Sequence, residues 1–132
     1  MLGGEEKGSP LPLEREREEE REHMPLYMSQ VAYTSEAVAA LTRSPEDRVD
    51  VFERLVEGMG GRLLSFYYSF GKYDVLVIYE APDQSTAAAI VMAAISPGHL
   101  GRVKTTVLLS AEEGMQAIRK AGEATYRAPG RQ

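Results

Sequence analysis

From Leu26 onward the chain switches between a two-residue and a three-to-four-residue hydrophobic period. Leu26 to Tyr33 is rich in strand formers and predicts a first strand. Thr34-Ser35-Glu36 caps a short helical piece through Leu41, and Ser44-Pro45-Glu46-Asp47 restarts the helix. There the serine accepts free N–H groups, the proline suits the first helical position, and the acidic residues complement the positive helix end. Val49, Phe52, Val56 and Met59 make one apolar stripe, which Gly60-Gly61 ends. Two apolar runs follow, Arg62 to Phe70 and Tyr73 to Glu80, joined by a tight turn at Gly71-Lys72, where glycine tolerates positive φ. Ala81-Pro82-Asp83 stops the sheet and caps a helix over Gln84 to Ile95, whose alanines allow close packing on a sheet. Pro97-Gly98 ends that helix, and Arg102 to Leu109 is a fourth strand. Ser110-Ala111-Glu112-Glu113 is a capping box for a last helix running to about Ala121, with Met115 and Ile118 facing inward and Gly122 as its stop.

This order, β-α-β-β-α-β with a closing helix, is the split β-α-β or ferredoxin-like arrangement, an α+β fold on an antiparallel sheet. Right-handed crossovers place its strands in the order 4-1-3-2. Strict alternation in the second strand puts Leu64, Phe66, Tyr68 and Phe70 on one face and Leu63, Ser65, Tyr67 and Ser69 on the other. In the third, Tyr73, Val75, Val77 and Tyr79 oppose Asp74, Leu76, Ile78 and Glu80. Helices cover one face of such a sheet, so apolar groups on the second still need shelter. The second strand is also an edge whose only charge is Arg62, and an unguarded aromatic edge invites pairing. A homodimer or higher homo-oligomer answers both demands; the alternative is that the last helix folds across the open face.

The first 23 residues stand apart. They hold four Lys/Arg against eight Glu, which accounts for most of the net charge of −5, and few apolar residues beyond Leu2, Leu11 and Leu13. Such a segment cannot offset its ordering entropy by burial, so 1–23 reads as a disordered acidic tail, 24–122 as the domain and 123–132 as a flexible C-terminal tail. Glu and Arg three or four apart can support a solvated helical turn there, and an interaction tail is the functional reading. Met24 is also a natural start, since the first strand follows it directly.

At 132 residues, 43% hydrophobic and 27% charged, the chain is one ordinary globular domain. It has no cysteine, hence no disulfide framework or thiolate site. No apolar run reaches membrane-spanning length and no signal peptide is evident, so a cytoplasmic protein without membrane association is the default. The nearly neutral domain has no basic stripe, which argues against nucleic acid. Two histidines and scattered carboxylates leave no metal site, and nothing points to a cofactor.

Gly71-Lys72-Tyr73-Asp74, together with Met59-Gly60-Gly61-Arg62-Leu63, the Glu80 to Asp83 boundary and the Thr105-Thr106 strand leading to Ser110, resembles the GYD-domain family from Met24 to Gly122. His99 departs from that pattern, at a position where asparagine is expected. The resemblance implies a ferredoxin-like, dimeric α/β-barrel type of fold and no established activity.

In this topology the end of the first strand, the hairpin turn and the loop before the fourth strand share one end of the domain. Tyr33, Gly71, Tyr73, Asp74, His99 and Arg102 are thereby expected in one neighbourhood, as candidate ligand-binding residues around a structural turn at Gly71. Asp74 is placed to orient or charge-stabilise His99, a pair able to serve as general base and orienter near neutral pH. The structural alternative is that Asp74 accepts backbone N–H groups and His99 is solvated. Two functions follow. One is a non-enzymatic small-molecule-binding or assembly module of the bacterial cytoplasm, similar in shape to effector domains of some bacterial regulators. The other is a small cofactor-independent oxygenase or isomerase using Asp74 and His99. The lack of any further catalytic signal favours the first.

Overall fold

A computed structural model describes residues 11–16 and 24–130. Residues 12–16 form an exposed helical turn. The expectation of disorder over 1–10 and 17–23, and at 131–132, lies outside the described residues.

The domain is built from β1 (Leu26–Tyr33), α1 (Ser35–Arg43), α2 (Arg48–Gly58), β2 (Arg62–Tyr68), β3 (Val75–Glu80), α3 (Gln84–Ile95), β4 (Leu100–Leu108) and α4 (Ala111–Glu123). The strands form one antiparallel sheet in the order β2-β3-β1-β4, the ferredoxin-like order expected from the crossover rule. Thr34, Asp83 and Ser110 each cap a helix by accepting the N–H group three residues on, and Ser110 with Glu113 completes the capping box.

The cap of α2 differs from expectation. Asp47, not Ser44, accepts the N–H of Asp50, at 3.1 Å. Ser44 instead closes α1, its N–H donating to the Ala40 carbonyl at 2.9 Å. A carboxylate is the stronger acceptor at a helix N-terminus because it also meets the positive end of the helix dipole. Pro45 and Glu46 therefore become a connection rather than a first turn.

One sheet face packs on α2 and α3. Tyr27, Val75, Val77 and Tyr79 are buried there against Val56 of α2 and Ala87 and Ile90 of α3, with Ala81 beside them. Tyr79 stands at the centre, stacked on Tyr27 with ring centroids 5.9 Å apart and met edge-on by Phe52 at 5.8 Å. Alternation holds along β3 but fails in β2. The β2–β3 register shifts between Leu63 and Ser65, so Leu63 pairs with Tyr79 and Ser65 with Ile78. This bulge at Leu64 turns both Leu63 and Phe66 toward the core and leaves Leu64 exposed, because the extra residue breaks the two-residue period.

The opposite sheet face carries Met28, Leu76 and Ile78, all half-buried, and among the described residues no helix packs closely on it. The inward-facing last helix is not observed. Met115 and Ile118 are 46% and 64% exposed, and α4 buries no residue. Its apolar stripe is real, but among the described residues it stays largely exposed. Gly122 lies inside α4, and the helix ends at Ala124 as its cap.

Candidate functional site

The functional end of the domain is organised by the last residues of β1. Asp74 holds that strand end from the hairpin side: its carboxylate Oδ2 accepts the Tyr33 N–H at 2.8 Å, while its own N–H donates to the Val31 carbonyl at 2.8 Å. From the other side, the Thr34 N–H donates to the His99 carbonyl at 3.0 Å. Gly98, at φ +89°, makes the turn that delivers His99 there. The imidazole consequently lies over the Tyr33 ring, with centroids 6.3 Å apart and planes inclined by 29°.

Arg48 completes the group. It is the first residue of α2, directly after the Asp47 cap, and its side chain is only 22% exposed. One guanidinium nitrogen, Nη1, donates to Glu46 Oε1 at 2.7 Å, and the other, Nη2, lies 3.5 Å from His99 Nε2. Burial pushes the His99 pKa below the usual histidine value, and the Arg48 charge pushes it further, with Glu46 opposing. Burial raises the pKa of the Tyr33 hydroxyl, as does Tyr68, while Arg48 acts against them. Burial disfavours the Arg48 charge, but its bonds to Glu46 and Tyr33 outweigh that and hold its pKa up. At neutral pH the group is therefore a neutral imidazole, a neutral phenol and a clamped cation.

Behind these three side chains lies a cavity of about 60 Å³ between the sheet and helices α2 and α3. Its walls are apolar, chiefly Val31, Val75, Val77, Ile90 and Ala94. Ser29 and Tyr79 supply the polar lining on the strand side. Ser29 Oγ lies 2.9 Å from the Tyr79 hydroxyl and 2.8 Å from Thr105 Oγ1, so these hydroxyls satisfy one another. A second hollow, about 430 Å³, runs between α1 and the hairpin end along Val38, Leu41, Tyr68, Phe70 and Asp74. It is larger but more open to solvent, and its carboxylate is already engaged by the Tyr33 amide.

The structure divides the residues singled out from sequence. Tyr33 and His99 come together at the cavity. Asp74 is adjacent through its bond to the Tyr33 backbone, but its partners are amides and not His99. Tyr73 and Arg102 form a separate pair at the hairpin tip, the guanidinium 5.6 Å from the ring centroid with Nη2 donating to the Lys72 carbonyl at 2.7 Å. Gly71 takes the positive φ expected of it, +136°. Arg48 was not among the candidates. Its signal is its position, since a basic residue in the first turn of a helix works against the dipole and needs another reason to be there. Among the described residues no cluster of three metal-ligating side chains occurs, and no helix is long and apolar enough to cross a membrane.

An antiparallel four-stranded sheet in this order, with a small pocket under its helices, defines a ferredoxin-like α+β domain. Residues 27–118 match the GYD domain, and the chain belongs to that family. No curated protein matches it. Among solved structures, MtbAldR is 15% identical with a TM-score of 0.49, over 66% of this chain and 54% of that one. A transcriptional regulator from Neisseria meningitidis, solved with L-Met, is 16% identical with a TM-score of 0.44, over 78% of this chain and 58% of that one. The chain thus spans little more than half the length of either. A NIPSNAP-like domain protein from Burkholderia xenovorans is 20% identical with a TM-score of 0.38, over 67% of this chain and 85% of that one.

Proposed function

We propose that this GYD-domain protein is a small-molecule-binding module, acting as a homodimer or a multiple of one and carrying out no chemistry of its own. The observation that carries this reading is the apolar cavity closed at one end by Tyr33, Arg48 and His99. Apolar walls with a few convergent polar groups are the usual form of a ligand site. Its size sets the scale of the ligand. At about 60 Å³ it has room for on the order of four waters, far below the roughly 300–1,000 Å³ of sites for drug-sized molecules.

Assembly is supported by the half-buried apolar face of β1 and β3, by the aromatic edge strand β2 with Tyr67 and Tyr68 exposed, and by the exposed stripe of α4. A self-complementary interface shelters the same patch on both copies. The cytoplasm is the setting we propose, in keeping with a chain that has no cysteine. The competing reading is an oxygenase or isomerase using Asp74 and His99, and it needs those two side chains to share a proton. Asp74 is bonded to backbone amides, and the cation beside His99 weakens the imidazole as a base.

Ala94, half-buried on α3, lines the cavity, so Ala94→Leu fills it without touching the polar end. The expected result, in thermal-shift titrations with short-chain acids, alcohols and amides, is that wild type is stabilised by some of these probes and Ala94→Leu by none. Its own stability should change by less than about 1.5 kcal/mol, since the added methylenes enter empty space. Equal stabilisation of both proteins by the same probes would show that ligands bind elsewhere.

A further inference from the structure

Arg48 is held in place at the polar end of the cavity by Glu46 and Tyr33. Glu46 occupies Nη1 at 2.7 Å, which shows that this guanidinium already seats a carboxylate. Nη2 lies 3.5 Å from His99 Nε2, at the outer limit of a hydrogen bond, and the guanidinium also interacts with the Tyr33 side chain. A half-buried guanidinium and an imidazole lining an otherwise apolar cavity match one ligand chemistry, an anionic head on a short apolar body. A planar carboxylate suits the guanidinium fork best.

Resting on the reading of this cavity as a ligand site, we propose that it takes a small aliphatic monocarboxylic acid, with the carboxylate held by Arg48 and His99 and the chain among Val31, Val75, Ile90 and Ala94. Glu46 remains on Nη1 and keeps the fork in place. The arrangement couples binding to a proton. Nε2 lies nearest the Nη2 donor of Arg48, an arrangement that favours the imidazole proton on Nδ1 and disfavours a second positive charge. A bound carboxylate lying against both groups reverses that. It relieves the repulsion, His99 takes up a proton from solvent, and Nε2–H becomes a second donor to the ligand.

The groups around the imidazole are Arg48 and Glu46 from the α1–α2 connection and the start of α2, and Tyr33 from β1, with Asp74 and Tyr68 of the hairpin region acting on Tyr33. The Arg48 charge lowers the His99 pKa and the Glu46 charge opposes it. The sign follows from linkage. His99 binds more protons in the complex than in the free protein, so affinity rises as pH falls through the pKa of the bound state and levels off below that of the free state. It is lost only where the ligand carboxylate itself protonates, at about pH 4–5.

The test is calorimetric titration of the full chain with butyrate and with butyramide, its neutral counterpart, at pH 5.5, 7 and 8, repeated on Arg48→Gln and His99→Gln. Butyrate is expected to bind wild type about tenfold or more tightly than butyramide, the effect of a charge-assisted hydrogen bond. Its affinity should increase toward pH 5.5 with net proton uptake, seen as a dependence of the heat on buffer ionisation. Butyramide should show neither trend. Arg48→Gln should bring butyrate down to the butyramide level, and His99→Gln should flatten the pH profile while leaving part of the preference. Butyramide binding as tightly as butyrate at every pH would overturn the carboxylate assignment and leave the pocket standing as a neutral-ligand site. Titrations silent for both probes, with Ala94→Leu no different from wild type, would overturn the assignment and the pocket reading together. The wild-type comparison of the two probes decides the point even if a variant fails to fold.

Discussion

Gly61→Ala is expected to lose most of its folded population. Gly60 and Gly61 look alike as a helix stop, yet the structure gives them different duties. Gly60 has φ +89° and simply makes the left-handed turn after α2. Gly61 donates its N–H to the Val56 carbonyl at 2.9 Å and is pressed against β3, so that a Cβ there would run into the Glu80 carbonyl oxygen and lie 3.0 Å from Val56 Cγ1. Neither obstacle can yield. Val56 is fully buried, and Glu80 is paired with Leu26 of β1 and Arg62 of β2. Overpacking a core commonly costs about 1–3 kcal/mol when side chains can adjust, and here a paired backbone would have to move, so at least about 3 kcal/mol is expected. That is a large share of the roughly 5–15 kcal/mol available to a domain. Gly60→Ala, limited by its backbone angle, should cost about 1–2 kcal/mol. Urea unfolding followed by circular dichroism separates the two, and equal midpoints for both variants would refute the close approach.

The second large effect concerns assembly. Ile78 sits on the half-buried apolar sheet face opposite Met28 and Ser65. In a two-fold interface each substitution is present twice, so Ile78→Lys places two ammonium groups in an apolar contact. Burying an unpaired charge costs several kcal/mol, which corresponds to a weakening of at least about a hundredfold. Sedimentation at micromolar concentration should show wild type as a dimer or larger and Ile78→Lys as a monomer that keeps its circular dichroism spectrum. A wild type that sediments as a monomer would remove the case for a self-complementary interface on this face.

Much of this architecture was legible along the chain because it rests on local chemistry. The stripe of α2, the aspartate and serine caps, and the positive-φ glycine at Gly71 each declare themselves within a few residues. What escaped depends on groups far apart in sequence. The bulge at Leu64 is a choice of register against β3, and it decided that Leu63 and Phe66 share the core face. The stripe on α4 is plain in sequence, but what it packs on is not, and among the described residues it stays largely exposed. Topology correctly brought the ends of β1, the hairpin and the loop before β4 to one end of the domain. It could not say that Asp74 would turn to the Tyr33 amide, that Arg102 would pair with Tyr73, or that Arg48 would reach His99 from α2. Those choices are made by side-chain length and by hydrogen bonds across 30 to 51 positions of sequence.

The most direct measurement is a methyl-detected NMR titration of the full chain with butyrate at pH 5.5, following Val31, Val75 and Ile90 in the cavity and Val38 and Leu41 in the open groove. Shifts that saturate at the three cavity residues, accompanied by a His99 ring signal moving toward its protonated position, are the expected result. Shifts confined to Val38 and Leu41, with the cavity methyls and His99 unmoved, would contradict the assignment of the site.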